Sequence, residues 1–194
     1  MTDLFQQEGD ATPLSPEERE GLIPTHIALR HELNELEQAN IIEAELWAFQ
    51  RLRRALDEAF GRNLHRRMFG KVWRWAGTYR TSDKNIGIDY RDIHQRLYAL
   101  LDDAGYWVEH ETYPQDEIAA RFHHGLVFIH PFANGNGRWS RLMADLLLAR
   151  MGQPRFSWGG SSLRAPDETR RAYIRALRAA DRHDFGPLIE FLRS

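Results

Sequence analysis

The sequence predicts an all-α fold, a helical bundle carrying one short β-hairpin flap. Three observations predict it. Apolar residues recur close to the helical period, at Leu33, Leu36, Ile41, Ala44 and Ala48, and again at Ile118, Phe122, Leu126 and Ile129. Gly77, Pro131, Gly152 and Pro166 mark the ends of such stretches. Only Thr78 to Tyr90 departs from the helical period, with Ile86-Gly87-Ile88 in a strand-like alternation.

Taken in order, residues 1–20 are polar, contain Pro13 and Pro16, and read as a loosely ordered N-terminal segment. Residues 21–194 read as a single domain, a length ample for one core. A long helix is predicted from Glu32 to Leu56, with Trp47 and Phe49 as packing groups. A second runs from Leu64 to Trp75, and Gly77 ends it. The turn-like Ser82-Asp83-Lys84-Asn85 then opens the flap, whose residues are Lys84, Asn85, Ile86, Gly87 and Ile88. Such a flap pairs with an extended segment by strand addition; the alternative is an ordinary surface loop. Further helices are predicted over Tyr90–Ala104, Gln115–Ile129, Gly137–Met151, Asp167–Ala180 and Phe185–Arg193. Neither an internal repeat nor a low-complexity tract is visible.

Composition narrows the function classes. The chain has no cysteine, so disulfides and thiolate metal sites are excluded, as expected of a protein in a reducing cytoplasm. Its first residues do not read as a secretory signal. The best apolar run, Leu142 to Ala149, contains Asp145 and is too short for a bilayer, so no membrane partner is expected. The net charge of −2 conceals an asymmetry. Residues 1–60 carry 13 acids and 5 bases, whereas residues 138–182 carry 10 arginines and 4 acids. That basic excess is too small to predict direct nucleic-acid binding, but it suits a small anionic ligand.

The most informative stretch is His130-Pro131-Phe132-Ala133-Asn134-Gly135-Asn136-Gly137-Arg138-Trp139-Ser140-Arg141. Two glycines let the backbone approach a ligand and turn its N–H groups toward an anion. An apolar helical stretch follows, so the turn feeds a helix N-terminus, itself an anion site. Arg138 and Arg141 are three apart and share one helix face, where they can grip a polyphosphate. His130 precedes the turn and can accept a proton from an incoming hydroxyl. Phe132 reads as an apolar anchor for the loop, and Trp139 as a packing group rather than a cap on the nucleotide. His123 and His124 lack the spacing of a zinc motif and read as packing or polar-face residues. The set points to phosphate-ester chemistry on a nucleotide.

This stretch resembles the signature His-Pro-Phe-x-x-Gly-Asn-Gly-Arg-x-x-Arg of Fic (Fic/Doc) domain proteins, most of which transfer AMP from ATP to a protein hydroxyl. Phe69 to Arg80 resembles the lead into the family's target-docking flap, and Tyr173, Ala176, Leu177, Asp181 and Asp184 resemble its closing helices. The resemblance covers roughly residues 60–192. It implies a Fic fold and a protein adenylyltransferase with ATP as substrate and Mg²⁺ as cofactor. It also implies His130 as general base toward a Ser, Thr or Tyr hydroxyl of a target protein. Asn136 and the amides around Gly135 and Gly137 would then hold the α-phosphate, and Arg138 and Arg141 the β- and γ-phosphates. Gly137 matches the AMP-transferring pattern; the kinase-like relatives carry a lysine near that place. Gly21 to His26 with Glu32 to Glu37 resembles the subgroup called mobile mystery protein B, encoded beside a helix-turn-helix partner. That resemblance implies a toxin–antitoxin-like pair.

Two departures from the family pattern matter. Asn134 stands where an acid usually binds Mg²⁺, and an amide is a weaker ligand for that hard cation. Weaker metal use, a different reaction, or binding with poor turnover follow in that order. Many Fic proteins carry an inhibitory Ser/Thr-x-x-x-Glu-Gly/Asn helix; Glu20-Gly21 is the nearest match, with Pro16 at the Ser/Thr place. Two alternatives to AMP transfer stay open, namely removal of AMP or transfer of another nucleotide, and a nucleotide- or partner-binding regulatory module.

Overall fold

The computed structural model describes residues 14–27, 29–160 and 166–194, and these described residues form eight helices and two single 3-10 turns. Helix α1 spans Pro16–Arg19, α2 Arg30–Phe49, α3 Glu58–Phe69 and α4 Ile93–Glu109. Helix α5 spans Gln115–Ile129, α6 Asn136–Arg150, α7 Pro166–Ala180 and α8 Gly186–Arg193. Among the described residues, no helix is long and apolar enough to cross a membrane.

Local chemistry sets most boundaries. Ser15 and Glu18 close a capping box around α1, so the end of the polar N-terminal segment is ordered, and Leu14 is buried beside it. Residues 1–13 lie outside the described residues. The predicted helix Leu64–Trp75 begins earlier and ends sooner. Asp57 caps α3 by accepting from the Phe60 N–H (2.9 Å), and Gly70 closes it. Residues 71–77 turn back instead, and Trp73 pairs in a single antiparallel bridge with Leu22.

The predicted hairpin is absent. Among the described residues the flap has no ladder of its own; its sole backbone pairing is a bridge from Tyr79 to Phe132. The reason is competition. The Ser82 and Ile88 carbonyls, which a hairpin would pair, accept from the Arg80 guanidinium instead.

Helix α6 is the axis of the bundle. It buries Leu142, Met143, Ala144, Leu146, Leu147 and Leu148, so it is apolar nearly all round, as a central helix must be. Helix α5 packs along it. One side of the pair faces a large core with Phe60, Leu64, Met68, Leu97 and Trp139. The other side, with Ala119, Ala120 and Leu148, faces a smaller core of Phe156, Ala176, Leu188 and Leu192 from α7, α8 and the preceding loop. Each large side chain buried there contributes about 1.5–3 kcal/mol. The loop from His130 to Gly135 is therefore the link between the two most deeply embedded helices.

Candidate functional site

His130 caps the C-terminus of α5, one residue past its end, and Pro131 prevents the helix from continuing. Its backbone is left-handed (φ 53°), a conformation costing a residue with a Cβ about 1 kcal/mol. Two bonds hold it there. Its N–H donates to the Leu126 carbonyl (3.1 Å), and its carbonyl accepts from Arg80 Nε (2.8 Å). The ring is nearly buried, at 7% exposure. Burial first, then the Arg80 charge, press its pKa down to about 4, against a hydrogen bond with the Val127 backbone that raises it. At neutral pH the imidazole is uncharged, the form that accepts a proton.

The loop beyond it is braced from within. Asn136 Oδ1 accepts from the Phe132 N–H (2.9 Å) and its Nδ2 donates to the Phe132 carbonyl (2.8 Å). That side chain therefore shapes the turn, leaving the backbone amides at the start of α6 to face a ligand. Gly135 is required by conformation and space: φ is +79°, and a Cβ would come within 2.6 Å of the Phe69 ring. Phe132 is fully buried and stacks on His65 with ring centroids 3.7 Å apart. Trp139 is buried and donates to the Gly61 carbonyl (2.9 Å), which makes it a packing residue.

His65 itself is a hidden brace. Its Nδ1 accepts from the Gly77 N–H (3.0 Å), so Nε2 carries the proton and donates to the Asn134 carbonyl (3.0 Å). Complete burial holds its pKa down to about 3 and fixes this neutral form.

The two motif arginines differ. Arg138 Nη1 pairs with Glu37 Oε2 (2.7 Å), and Trp73 Nε1 donates to the other Glu37 oxygen (2.7 Å). Glu37 is 5% exposed, so its charge is held by those partners. Arg141 instead lies against rings, its Cζ 5.6 Å from the Trp158 centroid and 5.2 Å from that of Tyr173. No carboxylate among the described residues pairs with it.

The flap meets this loop directly. Arg80, 4% exposed, donates to the carbonyls of Ser82 (2.9 Å) and Ile88 on the flap and of His130 and Ile129 (3.5 Å) at the end of α5. A Cβ on Gly87 would come within 2.7 Å of the His130 Cβ, so the flap lies against His130. Lys84 is drawn to Glu18 of α1 in a shielded ion pair, whereas Asn85 and Ile86 are exposed. A cavity of about 230 Å³ between α4 and α5 has Ile88 and Ile129 on its wall, next to His130.

Glu20 is exposed at the end of α1, and its backbone carbonyl accepts from Arg74 (2.9 Å). The carboxylate that reaches a motif arginine belongs to Glu37. His123 is buried against Trp158 and Tyr173, and His124 bonds Asp181 (2.8 Å). Among the described residues no group of three His, Asp or Glu side chains could hold a metal. Asn134 Oδ1 accepts from the Gly135 N–H (2.6 Å). A neutral oxygen already engaged in the turn does not fit the charged donor that Mg²⁺ prefers.

The residue patterns of the sequence left Arg80, His65 and Glu37 unassigned. A signal existed for two of them. Gly61, His65 and Phe69 share one helix face, and Glu37 falls on the stripe of Leu33, Ile41 and Ala44. A polar group on a buried stripe needs a partner.

Comparison with known proteins gives this geometry a context. A family model described as Fic/DOC family matches residues 55–148. A protein adenylyltransferase fic-1 of Caenorhabditis elegans is 32% identical over 137 residues, covering 66% of this chain and 25% of that protein. The chain thus spans about a quarter of the length of that curated relative. Two solved structures share the fold. The N-terminal FIC domain of Bep8 protein from Bartonella sp. 1-1C superposes with a TM-score of 0.67 at 18% identity, covering 91% of this chain and 95% of that one. The N-terminal Fic domain of a putative cell filamentation protein from Bartonella quintana, with bound ADP, gives 0.65 at 19% identity, covering 87% and 86%.

Proposed function

We propose, from the Fic/DOC domain matched over residues 55–148, that this chain is a protein adenylyltransferase moving AMP from ATP to a Ser, Thr or Tyr hydroxyl of a target protein. The observation that carries the reading is the neutral imidazole of His130, fixed in a left-handed hinge between α5 and the N-terminus of α6. His130 takes the hydroxyl proton. The target oxygen attacks the α-phosphorus in line, and pyrophosphate departs. The amides of Asn136 and Gly137, at the start of α6, stabilise charge on the α-phosphate, the Gly135 N–H being taken by Asn134 Oδ1. Arg141 holds the departing phosphates, and Arg138 assists with the donors Glu37 leaves available. The target lies along Asn85 to Ile88, with a side chain in the cavity beside Ile88 and Ile129. The bound ADP of the Bartonella quintana relative and the adenylyltransferase name of the Caenorhabditis elegans relative support nucleotide chemistry.

The step is derived without Mg²⁺, since Asn134 does not fit it; any Mg²⁺ that arrives with ATP is held by phosphate and water. The mobile mystery protein B resemblance adds a helix-turn-helix partner and a toxin–antitoxin-like role in the cytoplasm. Inhibition by Glu20 belongs to the same proposal and falls if Glu20→Gly leaves auto-modification unchanged.

One other reading has an observation behind it. Arg138 is engaged by a carboxylate and Asn134 is neutral, which favours nucleotide binding with little turnover. ATP labelled at the α-phosphate separates the two. Label on protein that disappears in His130→Ala, a loss of about 10²–10⁴-fold, supports transfer. ATP binding with no label in the unaltered chain supports the binding module and ends the transferase reading.

A further inference from the structure

Arg141 has an uncommon setting. Its neighbours are the rings of Trp158 and Tyr173, and both rings are themselves tied down. The Trp158 indole N–H donates to both oxygens of Asp145, at 3.1 and 3.3 Å. Asp145 is 2% exposed and also accepts from Arg155 Nε (3.0 Å) and the Phe156 N–H (3.3 Å). The Trp158 backbone is left-handed (φ 57°), its N–H held by the Leu192 carbonyl at 3.1 Å. The Tyr173 hydroxyl is held by His123 Nε2 at 2.8 Å, while its ring lies under Arg141.

These contacts run in one direction. From α6 carboxylate to indole, and from α5 imidazole to phenol, every bond stiffens a ring that Arg141 touches. A strained Trp158 persists only because its surroundings over-determine it, and such strain concentrates at ligand clamps. The rings attract the cation without neutralising it, as a carboxylate would.

We infer that Trp158 and Tyr173, secured by Asp145 and His123, are positioning residues that present the Arg141 guanidinium to the two terminal phosphates of a nucleoside triphosphate. The inference deepens the nucleotide reading above and rests on it. It makes triphosphate selectivity a property of the loop after α6 and of α7, outside the signature motif.

The test is calorimetric titration of ATP and of AMP into the full chain carrying His130→Ala, so that ATP is not consumed. Trp158→Phe keeps a ring but loses the Asp145 anchor; Tyr173→Phe keeps a ring but loses the hydroxyl. Each is expected to weaken ATP about fivefold, and Trp158→Leu about tenfold, while AMP affinity stays unchanged. A role in stability alone would leave both affinities alone in the folded fraction, or lower them together. Unchanged ATP affinity, or parallel loss of ATP and AMP affinity, overturns the inference while the transferase reading stands. Failure of the parent protein to bind either nucleotide overturns both. Thermal melts of each variant exclude misfolding, and Trp158→Phe remains informative where Trp158→Leu does not fold.

Discussion

Arg138 and Arg141 project from the same helix three residues apart, yet the fold treats them differently. Arg138 is paired with a buried carboxylate that also anchors Trp73, so much of its charge is already satisfied. Arg141 rests on two aromatic faces, and no carboxylate among the described residues pairs with it. One arginine ties α6 to α2; in the proposed function the other is the one left for an anion. The contrast shows that shared motif membership does not imply a shared role, because the partner rather than the residue type decides how much charge remains.

The contrast breaks most sharply on deletion. Arg141→Ala is expected to lower kcat/KM for ATP by about 100-fold, the worth of a charge-assisted bond to phosphate, and Arg138→Ala by only about tenfold. Steady-state kinetics of the two variants checks this, and equal losses would erase the distinction. Glu37→Gln sharpens it from the other side. The amide oxygen still accepts from Trp73, but Arg138 loses its counter-charge, so ATP affinity rises by roughly threefold to tenfold while stability falls by about 1 kcal/mol. A titration showing weaker ATP binding would mean that Glu37 serves only to aim Arg138.

The third test is the pH response of the buried histidines near these arginines. His65 and His123 titrate near 3 and His130 near 4 when folded, all below the ordinary value of 6.5. The unfolded chain therefore binds more protons between those limits. Stability is unaffected above about pH 6.5 and declines as the pH falls toward 4, by up to about 1.4 kcal/mol per pH unit for each histidine. Denaturant melts at pH 7, 6 and 5 measure this, and a flat profile would mean that the histidines are not sealed. The same shift keeps His130 in its accepting form down to about pH 5, so transfer is expected to persist there.

Much of the fold could be read directly because its punctuation is local. Pro131, Gly152 and Pro166 place the boundaries of α5, α6 and α7 within a residue of expectation. The start of α3 was harder to read, since its Asp57 cap lies before the apolar stripe becomes regular. The hairpin expectation failed for a different reason. Local alternation in Ile86-Gly87-Ile88 is real, but Arg80 takes the carbonyls that a ladder needs. At the site, His130 and the glycine turn announce themselves by pattern. Arg80, His65 and Glu37 do not, because their partners lie 50, 69 and 101 residues away in the chain.

Arg80 has a mechanical consequence. One planar, buried cation grips carbonyls from two different segments of the chain, the flap at Ser82 and Ile88 and the hinge at Ile129 and His130. A guanidinium cannot stretch, so an ångström of travel on one side must be matched on the other or bonds are lost. Whatever presses on the flap from outside is therefore felt at the imidazole. Under the proposed function, recognition of a polypeptide and alignment of the proton acceptor would be a single rigid-body event, and loosening that joint would uncouple tight docking from fast chemistry.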